Sequence, residues 1–399
     1  MTIQEAKETV ILAGKRLVES GLIARTWGNV SCRISDTHFV ITPSGRDYIS
    51  LTPEEIVEVQ ISDCSYGGDV KPSSEKGVHA EVYKHFPDIN FVIHTHQDYA
   101  SALSVLEQGS IKVSKEYATL SGEVVCADYG LPGTKKLRKG VERALSLSKG
   151  KAVIMRHHGA LCFNKDYDST FQVASELENA CKQFIKEAYL KASGKSEFDE
   201  AALGSFALSK LTKQPISPLN QDAYLPCESK RTASGFQFMV DDQVYDIAFD
   251  QMNQLSTNQT HKTEAAIHNA IYKNCSNINN ILHAYHPAIN SVSCSGLKQF
   301  PLLDDFAQIA GVSVGNVVMN SEQIGKALSK ASVVFLRNNG ALCCGATKSD
   351  EEASIIVTKK NCNALISAAL FGKVKYINPL ESRLMRFVYL KKYSKQVNH

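Results

Sequence analysis

Apolar side chains recur along the chain at two spacings, one typical of helices and one typical of strands. Residues 3–20 have apolar positions at helical intervals with charges between them, and Gly21 follows as a stop signal, which predicts an amphipathic opening helix. The run FVIHTH at 91–96 is apolar up to its histidines and predicts a buried strand. Helical spacing recurs at 75–86, 97–107 and 167–193. Because strands and helices alternate, we predict a layered α/β domain.

The periodicity weakens between residues 194 and 233, where Gly, Ser, Pro and Gln accumulate. Such a composition favours a linker over a packed element. The chain of 399 residues also exceeds the size at which one hydrophobic core usually stops growing. We therefore predict two domains, at 1–193 and 234–399, joined by a linker at 194–233.

The composition is ordinary for a globular protein, with 43% hydrophobic and 21% charged residues and a formal net charge of +3. That charge is too small to predict a nucleic-acid partner, and no dense run of Lys and Arg stands out. The first residues lack the features of a signal peptide, and no apolar run approaches membrane-spanning length, so we expect a cytoplasmic protein without a membrane partner. Eleven cysteines without CxxC pairs predict reduced thiols.

Histidines are the candidate chemistry of the chain. Side chains alternate between the faces of a strand, so His94 and His96 are expected on the same face. A third imidazole can come from His157 or His158, which precede a glycine. Three protein ligands with an open fourth position are typical of catalytic zinc sites. A single histidine is more often a structural residue, but this spacing favours a metal site.

The second half of the chain repeats the first. Glu75 and His79 stand four residues apart, as do Glu264 and His268, and each glutamate is followed 19 residues later by another histidine. The heptapeptide RHHGALC of the first half is likewise echoed by RNNGALC at 337–343. Matched spacing and matched sequence together predict an internal duplication.

The second copy lacks most of the candidate ligands. Where the first copy reads HTH at 94–96, the second reads HAY at 283–285, and Asn339 stands where the first copy has His158. The histidine that remains, His283, cannot hold a metal tightly by itself. We therefore expect the second copy to be a structural or interface-forming domain.

Five short motifs of the first copy resemble the class II aldolase/adducin family and, within it, the zinc-dependent L-fuculose-1-phosphate aldolase type. The motifs are GNVS at 28–31, TPSG at 42–45, KPSSE at 71–75, HTH at 94–96 and HG at 158–159. The resemblance covers residues 5–193 and, in decayed form, 236–371. It implies a three-layer α/β/α fold, duplicated in tandem with a degenerate second copy.

The resemblance also implies the metal ligands and the acid/base residue. It assigns the metal to His94, His96 and His158 and makes His157 a neighbour. Zinc is expected because neutral imidazole suits it and it is a redox-inert Lewis acid, and manganese or cobalt could substitute. Glu75 would move the proton that carbon–carbon cleavage beside a carbonyl requires, although an acid at a helix start is also an ordinary structural feature.

Six residues match the positions that hold the substrate phosphate in the fuculose-phosphate type: Gly28, Asn29, Ser44, Gly45, Ser73 and Ser74. Residues of these types are also common turn formers. Backbone N–H groups, hydroxyls and an amide that converge at a helix start would nevertheless form an anion pocket.

Tyr117 falls where these aldolases have a tyrosine that protonates or positions the aldehyde, and a packed aromatic side chain is the structural alternative. Pro132 stands where an aromatic residue is common in the fuculose enzymes. This departure leaves the identity of the aldehyde open.

These features predict a metal-dependent aldolase that reversibly cleaves a phosphorylated ketose to dihydroxyacetone phosphate and a short aldehyde. The related ribulose-phosphate 4-epimerases resemble this pattern with Asp in place of Glu75. A sugar-phosphate dehydratase or decarboxylase is the alternative enzyme, and a non-catalytic, adducin-like interaction module is the alternative from another class. Because related single-domain enzymes form four-fold rings, the resemblance implies a homodimer that mimics such a ring.

Overall fold

The computed structural model describes residues 1–23, 27–251 and 258–393. The chain divides into two compact units, of which the first comprises Met1–Ala188 with the chain end from Val388 and the second comprises Tyr189–Phe387. Each unit contains one sheet and its own set of helices. None of the helices within the described residues combines the length and the apolar stretch that a bilayer crossing requires.

Among the described residues, the first unit contains eight strands, four complete α-helices and most of a fifth, α5. The strands are β1 (Asn29–Arg33), β2 (His38–Ile41), β3 (Val57–Gln60), β4 (Phe91–Thr95), β5 (Ser110–Lys112), β6 (Glu123–Ala127), β7 (Ala152–Met155) and β8 (Gly159–Asn164). The helices are α1 (Ile3–Glu19), α2 (Lys76–His85), α3 (Asp98–Leu103), α4 (Lys135–Leu147) and α5 (Tyr167–Ser193). The sheet order is β3-β2-β1-β4-β8-β7-β6-β5, in which only the β6–β7 pair is parallel.

Both faces of this sheet are covered, as a three-layer α/β/α fold requires. On β4, Val92 belongs to a core that includes Val82 of α2 and Val141 of α4. The alternate residues Phe91 and Ile93 are equally buried on the opposite face. The predicted strand at 91–96 and the predicted α/β layering are therefore confirmed.

The second unit contains seven strands and seven helices among the described residues. The strands are β9 (Cys227–Arg231), β10 (Gly235–Val240), β11 (Gln243–Ala248), β12 (Asn280–Ala284), β13 (Asn316–Val317), β14 (Val333–Leu336) and β15 (Ala341–Gly345). The helices are α6 (Glu200–Thr212), α7 (Gln259–Asn274), α8 (Pro287–Ser295), α9 (Asp304–Ile309), α10 (Ser321–Leu328), α11 (Lys348–Leu370) and α12 (Pro379–Val388), the last ending one residue past this unit. The sheet order is β11-β10-β9-β12-β15-β14-β13.

The two sheets repeat one topology. Each strand of the second sheet has a counterpart in the first, and the single parallel pair, β13–β14, corresponds to β6–β7. Side-chain contacts repeat as well, since the guanidinium of Arg33 donates to the carbonyl of Tyr83 and that of Arg231 donates to the carbonyl of Tyr272. This correspondence is the structural form of the duplication seen in the sequence.

The range predicted as a linker contains a packed helix. Helix α6 has 13 residues and packs against α8 and α11 of its own unit. Its buried residues, Leu203, Gly204, Ala207 and Leu208, recur at helical spacing. Pro215, Pro218 and Pro226 all lie between α6 and β9, and β9 begins within the same range. The domain bounds 1–193 and 234–399 stay a prediction.

The substitution Gly204→Ala tests whether α6 is a packed element. A Cβ atom at Gly204 would lie 2.2 Å from the Ser291 hydroxyl oxygen and 2.6 Å from its Cβ. Overpacking of this kind costs about 1–3 kcal/mol, which outweighs the gain of about 1 kcal/mol in helix propensity. We expect a lower urea midpoint in equilibrium unfolding, whereas Ser205→Ala at the neighbouring exposed position should leave it nearly unchanged. A higher urea midpoint for Gly204→Ala would show that α6 does not pack against Ser291.

Candidate metal centre and active site

Three histidines come together where β4 and β8 meet. His94 and His96 lie at the end of β4, and His158 directly precedes β8, its antiparallel neighbour. The candidate ligand nitrogens of the three rings lie within 4.8 Å of one another, and all three side chains are buried. The Nε2 atoms of His94 and His96 are 2.9 Å apart. Sheet pairing thus places the three predicted ligands in one group.

The carboxylate of Glu75 faces this group from the start of α2. Its Oε1 lies 2.9 Å from Nε2 of His158, and its Oε2 lies 3.2 Å from Nε2 of His94. Burial alone would raise the pKa of this carboxyl, but the neighbouring imidazoles of His158 and His94 hold the pKa well below its usual range. Glu75 is therefore an ionised carboxylate within a buried site.

The donor set fits a divalent metal ion. Nδ1 of His94 lies 2.9 Å from the carbonyl oxygen of Ala160, to which it donates, so Nε2 is the ring nitrogen that faces the cluster and would be the ligand atom. Metal-binding histidines are commonly oriented by a hydrogen bond of this type. Three imidazoles and one carboxylate that face one another in a buried space suit zinc or a similar ion.

A series of side-chain hydrogen bonds runs from Glu75 to residues of α2 and β1. Asn29 donates from Nδ2 to Oε2 of Glu75 over 3.1 Å, which leaves its Oδ1 as the acceptor for Nε2 of His79. Nδ1 of His79 then accepts from the hydroxyl of Ser31 at 2.6 Å, and Ser31 accepts from the hydroxyl of Tyr83 at 2.7 Å. Burial lowers the pKa of His79 to about 3, so this histidine is neutral. Each member therefore has one defined donor and acceptor role.

Only one residue of this hydrogen-bond network has a signal in the sequence. The spacing of His79 from Glu75 recurs in the second copy, and no role follows from that spacing alone. Asn29 was predicted to bind phosphate, and the structure shows its amide engaged with Glu75 and His79. One amide therefore links the carboxylate to the histidine behind it.

The segments predicted to bind phosphate converge beside the histidines. The backbone N–H of Ser44 donates to Lys71 and that of Ser73 donates to Thr42, which ties the loops 42–45 and 71–74 together. Gly28 has a φ of 108°, and a Cβ atom there would lie 2.6 Å from the carbonyl oxygen of His94. These contacts join the predicted segments around one end of β4.

The six predicted phosphate residues differ in accessibility. Ser74 is exposed, while Ser44 and Gly45 are half-buried. Ser73 is buried, and its hydroxyl accepts from the backbone N–H of Glu75 at 3.2 Å. The accessible donors are thus at the rim of the loops, and the buried residues support the carboxylate.

Tyr117 and His157 make their described contacts elsewhere. The Tyr117 hydroxyl donates to the side-chain carbonyl of Gln183 over 2.8 Å, and within the described residues no hydrogen bond joins Tyr117 to the three histidines. His157 has a φ of 60°, and its ring packs edge-on against Tyr129 with 5.3 Å between centroids. The roles predicted for Tyr117 as an acid and for His157 as a neighbour stay predictions.

The equivalent site of the second copy is filled by hydrogen bonds among its own residues. Nδ1 of His283 lies 2.8 Å from Oε1 of Glu264, and its Nε2 lies 2.7 Å from the carbonyl oxygen of Asn339. The hydroxyl of Tyr285 donates to Oδ1 of Asn339 over 2.8 Å. Tyr285 and Asn339 thus hydrogen-bond to each other at the positions where the first copy has the imidazoles of His96 and His158.

Comparisons with known proteins place both copies in one family. The profile of the class II aldolase and adducin N-terminal domain matches residues 8–185 and again 228–365. A 5-deoxy-D-ribulose 1-phosphate aldolase of Bacillus thuringiensis serovar kurstaki is 32% identical over 179 residues, which are 45% of this chain and 83% of that protein. An L-fuculose phosphate aldolase of Escherichia coli is 34% identical over 166 residues, which are 41% and 75% of the two chains.

Two further proteins extend the comparison. A 3-oxo-tetronate 4-phosphate decarboxylase of Haemophilus influenzae is 30% identical over 191 residues, covering 46% of this chain and 89% of that protein. A solved structure of an L-fuculose 1-phosphate aldolase has 30% identity and a TM-score of 0.44, and the match covers 49% of this chain and 90% of that one.

The two profile matches coincide with the two sheets, so the tandem duplication and the fold class predicted from the sequence are confirmed. Together the matches extend over most of the chain. The protein belongs to the class II aldolase and adducin N-terminal domain family and contains the domain twice.

Proposed function

We propose that the first copy is a metal-dependent aldolase that reversibly cleaves a phosphorylated ketose to dihydroxyacetone phosphate and a short aldehyde. The observation that carries this proposal is the buried Glu75 carboxylate in contact with His94 and His158. Relatives at 32% and 34% identity are a deoxyribulose 1-phosphate aldolase and a fuculose phosphate aldolase. Cleavage of such ketose 1-phosphates between the third and fourth carbons gives dihydroxyacetone phosphate.

His94, His96 and His158 are the residues that would hold the ion, with zinc as the expected species. When bound there, a divalent ion supplies Lewis-acid stabilisation of negative charge that develops on the substrate oxygens. Nε2 of His94 is directed to this position by the bond from Nδ1 to the carbonyl of Ala160.

Glu75 handles the proton in this proposal. As an ionised carboxylate it accepts a proton from the carbon next to the carbonyl of dihydroxyacetone phosphate in the condensation direction, and it returns that proton in the cleavage direction. Asn29 holds one carboxylate oxygen, and His79 holds the amide of Asn29 in the orientation that donates to Glu75. These neighbours limit the rotation of the base.

The rim of the loops 42–45 and 71–74 would receive the phosphate. Ser44 and Ser74 offer hydroxyls, and Gly45 and Ser74 offer backbone N–H groups, at accessible positions. Because the same loops lead into Glu75 through Ser73, a phosphate held at this rim would place the neighbouring carbons close to the base.

A decarboxylase is the second candidate function, and it rests on the similarity to the 3-oxo-tetronate 4-phosphate decarboxylase. Loss of carbon dioxide from a 3-oxo acid that has a hydroxyl on carbon 2, such as a 3-oxo-tetronate, leaves the same type of enediolate that aldol cleavage produces. Glu75 would then be required in its protonated form, as a donor to carbon.

Replacement of Glu75 by Gln tests the aldolase proposal. An amide cannot accept the proton, so exchange of solvent deuterium into dihydroxyacetone phosphate should fall by about 10²-fold or more, as expected for removal of a general base. Proton NMR of dihydroxyacetone phosphate follows the exchange without any assumption about the aldehyde, and the metal content should not change.

The control is Glu142→Gln on the exposed surface of α4, which should exchange at the wild-type rate. Full exchange in Glu75→Gln would exclude Glu75 as the base. If the wild-type protein binds metal but does not exchange, the 3-oxo acid phosphate becomes the substrate to assay.

Replacement of Ser74 by Ala tests the phosphate site. Loss of a hydrogen bond to a charged group costs about 1.5–3 kcal/mol, so the KM for dihydroxyacetone phosphate in the exchange assay should rise about tenfold or more. The maximal rate should change little, because the lost contact is the same in the ground and transition states. Ser50→Ala, at another exposed serine, should leave both parameters unchanged. An unchanged KM in Ser74→Ala would contradict the assignment.

A further inference from the structure

The second copy contains a buried group of donors that is not the counterpart of the three histidines. It consists of Cys227 at the start of β9 and of Glu264 and His268 on α7. The thiol sulfur, a carboxylate oxygen and an imidazole nitrogen lie within 4.8 Å of one another, and all three side chains are buried. Sulfur, oxygen and nitrogen donors at this spacing are candidates for a metal site of their own.

Cys227 occupies the position that Asn29 has in the first copy. Asn29 lies opposite His94 in the β1–β4 pair, and Cys227 lies opposite His283 in the β9–β12 pair. In the first copy the amide of Asn29 separates the glutamate from the histidine of α2. In the second copy a thiol replaces the amide, and Nε2 of His268 lies 3.4 Å from Oε1 of Glu264.

The residues behind His268 can leave its Nε2 as a lone-pair donor. Nδ1 of His268 is 2.7 Å from the Ser229 hydroxyl, which is 2.8 Å from the hydroxyl of Tyr272. The Tyr272 hydroxyl has a carbonyl acceptor at Asn279, 3.4 Å away. If Tyr272 donates to that carbonyl, Ser229 donates to Tyr272 and accepts from Nδ1–H of His268. In the first copy the amide oxygen of Asn29 accepts a hydrogen bond from Nε2 of His79, which imposes the opposite tautomer on that ring.

Glu264 has a supporting contact of the kind that orients a ligating carboxylate. Its Oε1 accepts a hydrogen bond from Nδ1 of His283, whose Nε2 donates to the carbonyl oxygen of Asn339. Because both nitrogens of His283 face oxygen acceptors, this ring is a donor at both positions and belongs to the surroundings of the site.

We propose that Cys227, Glu264 and His268 form a second divalent-metal site, distinct from the three-histidine site and selective for an ion of the zinc type. A thiolate, an imidazole and a carboxylate together suit Zn²⁺ and Co²⁺. On binding, the thiol proton of Cys227 passes to solvent and the thiolate sulfur forms the bond to the metal. Because the three ligands have 5%, 1% and 0% exposure, the ion would be buried between β9 and α7.

Cobalt binding to the full-length metal-free protein tests this proposal. A thiolate ligand gives Co²⁺ an intense near-ultraviolet charge-transfer absorption, which a site made only of imidazole and carboxylate cannot give. We expect the wild-type protein to show this absorption and to bind two ions per chain. Cys227→Asn, which introduces the residue of the first copy, should abolish the absorption and reduce binding to one ion per chain.

Cys294→Ser is the matched control, because Cys294 is the half-buried cysteine of the same unit, and it should keep the absorption. Cys227→Ser, with a side chain close to the original volume, provides the second variant, and thermal unfolding of each protein verifies its fold. Absence of the charge-transfer absorption in the wild type, or its persistence in both Cys227 variants, would overturn the proposal. The aldolase assay does not enter this test, so the two proposals can fail independently.

Discussion

A carboxylate buried among imidazoles is the constraint around which the first copy is arranged. Removing an ionised carboxylate from water is costly unless nearby groups compensate its charge. Glu75 obtains that compensation from His94 and His158 on one side and from the Asn29 amide on the other. All of these groups come from β1, β4 and the turn before β8, three neighbouring parts of one sheet. The antiparallel register of these strands therefore determines the chemistry available to the site.

The second copy has the same supporting hydrogen bonds as the first but different residues at the centre of the site. The serine, histidine and tyrosine behind the site recur, as Ser31, His79 and Tyr83 in one copy and as Ser229, His268 and Tyr272 in the other. What differs is the set of groups in front of them, where Tyr285, Asn339 and Cys227 replace two imidazoles and an amide. The duplication thus conserved a scaffold on which two different donor sets were built.

Much of the fold followed from periodicity, because long amphipathic helices and buried strands have clear patterns. Helix α5 has the bounds that the pattern predicts, Tyr167–Ser193, and β4 begins at the predicted Phe91. Helix α6 was missed because three prolines, at 215, 218 and 226, follow it closely and its buried face includes the small residues Gly204 and Ala207.

The candidate site was predictable where the chemistry is carried by a local motif. The spacing of His94, on β4, and His96, just after it, indicates a metal site, and sheet pairing then brings His158 beside them. The roles of Asn29 and His79 were not predictable, because their partners are 46 and 50 residues away and depend on which atom donates. The role of Cys227 was likewise hidden, since this cysteine lies on β9, apart from Glu264 and His268 on α7, and the four-residue spacing of that pair does not point to it.

The most direct measurement of the central claim is an anomalous difference map at the zinc absorption edge, from crystals of the zinc-loaded protein. The account predicts a peak at coordination distance from the imidazole nitrogens of His94, His96 and His158, with Glu75 beside it. Zinc bound in the first copy at any other group of residues, or a three-histidine cluster that stays without a peak in zinc-saturated crystals, would contradict the account.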